Sequence, residues 1–120
     1  GLLVILSARV ISHRRSRSVE IGDGEDRELL RRMRVHANFV EYAPFALVLM
    51  AVAESMAAPK ALLHVLGAAL LAGRVMHAYA LSQTPHILRL RVLGMVLTLT
   101  MLMVAAVTCL WLAISRGGLL

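Results

Sequence analysis

The chain has 120 residues, 59% of them apolar and 17% charged, with a formal net charge of +6 and a single cysteine, Cys109. So short a chain cannot enclose that much apolar side chain in one water-facing core, and the excess points to lipid as part of its solvent. The same figures exclude an intrinsically disordered chain, a disulfide scaffold and a multi-domain architecture.

The first predicted helix covers about residues 1–17. Its opening, GLLVILSARVI, is too short to span a membrane by itself. Because the sequence opens on Gly1, this helix is expected to lack its front; a short surface-lying segment is the alternative. VEIGDGED at 19–26, with Gly22 and Gly24, reads as a long turn. The second helix, about 26–56, is expected to be capped by Asp26, although Leu29 three residues on leaves no capping box. Its apolar run goes from Phe39 to Ala58, with Glu41 and Glu54 near the two ends and Pro44 inside. Ala58-Pro59 marks the second turn, and Pro59 suits a helix start.

The third helix, about 60–83, is interrupted by His64, Arg74 and His77. Gln83-Thr84-Pro85 forms the next turn, with Thr84 as a candidate cap for the fourth helix, about 86–115. That helix holds the clearest span, Val92 to Ile114, 23 uncharged residues between Arg91 and Arg116. At 1.5 Å per residue it crosses roughly 30 Å of hydrocarbon. Gly117 and Gly118 are expected to end it. The fold class is therefore all-α: one transmembrane domain over residues 1–120, an up-down bundle of four antiparallel helices.

Charge is concentrated at one end. Residues 9–34 hold eight of the thirteen basic and five of the seven acidic residues, and only Glu41 and Glu54 are acidic beyond Phe39. A nucleic-acid surface is excluded, because the arginines are interleaved with acids and flanked by apolar runs. Arginine beside a span is a topology signal. The first connection and its flanks carry seven arginines and the third carries Arg89 and Arg91, against Lys60 in the second and Arg116 at the C-terminus. The first and third connections are expected on the cytoplasmic side and both termini opposite.

Ionisable groups inside a membrane are costly and face a partner or a cavity. Arg27, Arg31, Arg34, Asn38 and Glu41 recur at offsets of four and three, so they form one stripe on the second helix. Arg74 and His77 share a face of the third, which Leu81 continues and Tyr79 leaves. Counted from the helix ends, Asn38 and Glu41 lie roughly 6 and 10 Å deep, and Arg74 and His77 roughly 12 and 8 Å. This overlap predicts a polar cavity lined by arginines and a carboxylate, suited to a ligand with carboxylates and an amine. A Glu41–Arg74 ion pair of purely structural purpose is the plain alternative, and Arg27, Arg31 and Arg32 read equally as solvated topology determinants.

His13 and His64 read as interfacial, His36 as off the stripe, Glu54 as a solvated helix-end residue, and Cys109 as a small packing residue. No metal-ligand spacing, HExxH, CxxC or phosphate loop occurs. Ala69 and Gly73 form a small-xxx-small pair that permits close helix contact.

The second helix, RMRVHANFVEYAPFALVLMAVAE at 32–54, contains Arg34, Asn38, Glu41 and Pro44 as R-x-x-x-N-x-x-E-x-x-P, and LLAGRVMHAYA follows at 70–80. This pattern resembles the membrane-associated proteins in eicosanoid and glutathione metabolism, in particular their short bacterial members. The resemblance implies a homotrimer of four-helix subunits in the bacterial inner membrane. It also implies glutathione as co-substrate, bound between subunits near the cytoplasmic side. By the same resemblance Arg34, Asn38, Glu41, Tyr42, Arg74 and His77 bind glutathione and Arg91, more than Arg89, stabilises its thiolate. Two departures stand out: Leu81 replaces an aromatic residue one turn beyond His77, and no serine or tyrosine accompanies Arg91.

The expected activity joins glutathione thiolate to a lipophilic electrophile, or reduces a lipophilic peroxide. A non-catalytic protein binding a lipid or glutathione-like ligand is the second reading. An anion channel is disfavoured because the fourth helix reads as apolar throughout.

Overall fold

The computed structural model describes residues 1–117, and four helices account for most of them: α1 (Leu2–Arg17), α2 (Arg27–Ser55), α3 (Lys60–Ser82) and α4 (Leu88–Arg116). The bundle is elongated, 59 × 28 × 20 Å. Helices α2, α3 and α4 are each long and apolar enough to cross a membrane, whereas α1, with 16 residues, falls short.

Local chemistry explains the helix ends. Ser18 takes a left-handed conformation after α1, and the amides of Ser18 and Val19 return to the carbonyls of Arg15 and Arg14. Asp26 caps α2 as its position suggests: Oδ1 accepts from the amides of Glu28 at 2.9 Å and Leu29 at 3.1 Å. Pro59 precedes α3, where its missing N–H costs nothing. Thr84 does not cap α4, which begins after Ile87 without a side-chain cap; the Thr84 hydroxyl instead accepts from Arg31 across the bundle. Gly117 closes α4 in a right-handed conformation, with its amide on Ala113 O; Gly118 lies outside the described residues.

Pairs of contacts show that α1 and α2 run in opposite directions. Ser7 meets His36, Arg9 meets Arg32, and His13 meets Asp26, so numbers rise on α1 as they fall on α2. Three apolar clusters stack along the long axis. Leu6, Val35, Ala78 and Leu81 lie at the arginine-rich end. Ala46, Leu66, Leu70, Met101 and Ala105 fill the middle, and Ala53, Ala58 and Leu112 the far end. Helix α1 enters only the first cluster.

The tightest packing is between α3 and α4. A Cβ on Gly73 would lie 2.8 Å from the Gly94 carbonyl oxygen and 2.7 Å from Thr98 Oγ1. One on Gly94 would lie 2.7 Å from the Gly73 carbonyl and 2.9 Å from the His77 nitrogen. The two backbones touch because neither position carries a side chain, the means by which membrane helices gain close packing. Gly73 was expected to allow such contact; its partner Gly94 was not foreseen. Between the charged ends the surface is largely apolar, with Phe45, Val48, Met103 and Trp111 each more than half exposed.

Candidate functional site

Arg74 is the centre of the polar interior. It is 3% exposed, on the face of α3 that meets α2 and α4. Its Nη1 donates to Asn38 Oδ1, its Nε to Thr98 Oγ1 at 3.0 Å and its Nη2 to Met95 Sδ at 3.2 Å. The guanidinium carbon stands 5.4 Å from the centre of the Tyr42 ring, within cation–π range. Every one of these partners is neutral. The Thr98 hydroxyl donates to the Gly94 carbonyl at 2.9 Å, which leaves its oxygen to accept from Arg74.

Glu41 does not join this group. It is exposed, and among the described residues it makes no ion pair. Helical geometry gives the reason: at 100° per residue, Tyr42 lies about 40° to one side of Asn38 and Glu41 about 60° to the other. With Asn38 turned towards Arg74, Tyr42 follows it inward and Glu41 faces out. The Glu41–Arg74 ion pair that stood as the plain alternative is therefore absent among the described residues, and so is a single chamber lined by both stripes. Arg34, one turn before Asn38, is also exposed.

His77 lies one turn from Arg74, 4% exposed, with Nδ1 buried and without a hydrogen-bond partner among the described residues. Leu81 continues this buried face and Tyr79 leaves it, as their spacing requires. Arg91, in the first turn of α4, is half-buried, whereas Arg89 and His86 are exposed. Beside Arg74, a groove of about 270 Å³ runs between α2 and α3, lined by apolar residues including Phe39, Ala43, Leu47 and Leu71.

Thr98 and Met95 were missed from the sequence, and α4 is consequently not apolar throughout. Thr98 lies four residues after Gly94, and a small residue followed one turn later by a hydroxyl was the available signal. His13, read as interfacial, is buried, and its Nε2 meets Asp26 Oδ2 at 3.0 Å. With Arg17 3.5 Å away and two backbone amides on Oδ1, Asp26 is surrounded by donors. The His13 bond first, and the Leu29 amide after it, hold this carboxyl below its ordinary 3.8. His36 meets Ser7 Oγ at 3.1 Å, and Cys109 donates to the Leu49 carbonyl at 3.5 Å, so both are structural. No metal-binding group of histidine, cysteine or carboxylate occurs among the described residues.

The MAPEG family model matches residues 1–111, a stretch that includes every residue of the Arg74 group. The chain belongs to the MAPEG family. It is similar to the inner membrane protein YecN of Escherichia coli strain K12, with 38% identity over 110 residues, covering 92% of this chain and 82% of YecN. YecN of E. coli O6:H1 strain CFT073 matches to the same extent. No solved structure gives a significant match. In this MAPEG chain the second-helix motif is thus split: Asn38 and Tyr42 turn to the buried arginine, while Arg34 and Glu41 stay on the outer face.

Proposed function

We propose that this MAPEG protein is a glutathione transferase or peroxidase of the bacterial inner membrane, working as a homotrimer. The observation that carries the reading is the Arg74 guanidinium, buried in a membrane helix bundle and held only by neutral groups. A buried cation without a carboxylate is costly, and an arriving anion offsets that cost. A glutathione carboxylate supplies the charge and two acceptor oxygens for a guanidinium fork. Arg34 and Glu41, exposed on the same helix, then take a second carboxylate and the amino group, with a neighbouring subunit closing the site over them. Asn38, Tyr42 and His77 orient the tripeptide beside Arg74.

Arg91 is given the thiol. A thiol with pKa near 8.5 is mostly protonated at neutral pH, and an adjacent guanidinium favours the thiolate. The sulfur attacks the electrophilic carbon of a substrate delivered from lipid, a C–S bond forms, and the leaving group departs with its electron pair. The apolar α2–α3 groove supports a lipophilic co-substrate. The arginine-rich first and third connections favour the cytoplasmic side, where glutathione is available, with the termini opposite.

The test is glutathione difference absorbance in detergent, followed by turnover of a halogenated nitrobenzene. A thiolate band that Arg91→Ala removes, together with turnover, is the expected result. Absence of both the band and binding overturns the reading. Binding without turnover would instead favour a ligand-binding protein, the second reading, which the lack of a hydroxyl beside Arg91 supports.

A further inference from the structure

A second basic site lies at the arginine-rich end of the bundle, away from Arg74. Here α1, α2 and the α3–α4 turn enclose a cleft of about 160 Å³ lined by Arg9, Glu28, Arg31, Arg32, Ser82 and Thr84. Three guanidiniums share it with one carboxylate, a net charge of +2. Glu28 is already taken by Arg32, one turn along α2. Arg9 Nη1 donates to Ser82 Oγ at 2.9 Å, and Arg31 donates to Thr84 Oγ1. Neutral hydroxyls satisfy donor geometry but leave the cationic charge uncompensated.

Arg32 is also short of an acceptor. Its Nη1 donates to the Arg9 carbonyl at 3.1 Å, while its Nε is buried with no partner among the described residues. Such a donor is expensive to leave unpaired. The cleft thus lacks both negative charge and acceptor oxygens, which a phosphate group supplies together.

The position favours a lipid as the source. Val35 on α2, three residues beyond Arg32, and Leu81 on α3, next to Ser82, belong to the first apolar cluster. The cleft therefore stands where the polar end of the bundle meets its apolar body, the depth of a headgroup. Basic pockets between membrane helices hold anionic headgroups in this way. We propose that this cleft binds the phosphate of an anionic phospholipid, with Arg9, Arg31 and Arg32 holding its oxygens. None of these residues belongs to the Arg74 group, so the assignment stands or falls independently of the glutathione reading.

The experiment is native mass spectrometry of the delipidated protein in detergent. It is titrated separately with phosphatidylglycerol, phosphatidylcholine and inorganic phosphate. Phosphatidylglycerol is expected to bind most tightly, and Arg9→Gln and Arg31→Gln to weaken it by about fivefold each. Arg15→Gln, which removes an exposed arginine outside the cleft, should leave the affinity unchanged. Equal affinity for the two lipids overturns the proposal, as does an equal loss in Arg15→Gln. Inorganic phosphate binding as tightly as the lipid overturns the lipid source. Should the arginine variants fail to fold, the three wild-type titrations decide the matter alone.

Discussion

The arginine residues at the two levels of the bundle do opposite things. At the polar end, His13, Arg17 and Asp26 form a local network and Arg32 pairs with Glu28, with Arg17 and Glu28 open to solvent. Eight residues in from the polar end of α3, Arg74 is enclosed and has an amide, a hydroxyl, a thioether and an aromatic ring for company. Water screens the first group, so its pairs add little to stability. Nothing screens the second, so its unmet charge is available to a ligand. The same residue type sits among charged partners in one place and among neutral, enclosed ones in the other.

The largest expected effect tests the seam that encloses Arg74. Gly94→Val drives a branched side chain into the Gly73 carbonyl and the His77 backbone and should destabilise by about 3 kcal/mol, read as a lowered melting temperature in detergent. Arg74→Met should act in the reverse sense. Replacing an unpaired buried charge by an apolar chain is expected to leave stability unchanged or raise it by about 1–2 kcal/mol, while glutathione binding is lost in calorimetry. A fall in stability of similar size would show Arg74 to be a structural element and would erase the contrast.

Thr98→Val is the milder probe, since it keeps the shape but removes one acceptor from Arg74 Nε. A loss of about 1 kcal/mol in thermal unfolding is expected. At the polar end the effect should be smaller and depend on pH. Asp26 is held below 3.8 in the fold, so the unfolded chain takes up its proton first as pH falls. Its contribution is complete above that value and is lost as pH drops through the depressed one. Asp26→Asn should therefore lose less stability than the parent chain as pH falls below 3.8, read by acid unfolding.

Most of the architecture was legible in the sequence because lipid imposes simple rules. Charge-free length, Pro59, the glycine-containing turn and Asp26 locate all four helices to within two residues. The buried Arg74–His77 face followed from spacing alone. Glu41 shows where spacing stops: a stripe of five residues is wider than one neighbour can cover, and packing chooses which side of it turns inward. Thr98 and Gly94 escaped notice because small and hydroxyl residues hardly alter the hydropathy of an apolar span. Their value appears only when α3 lies directly against them. His13 was similarly hidden, its partner Asp26 lying thirteen residues away across the turn.

The Gly73–Gly94 crossing has a mechanical consequence. Two helices locked backbone to backbone behave as one beam, which bends less than either helix alone. Arg74 and Thr98 flank that crossing, so the spacing between them is held with it.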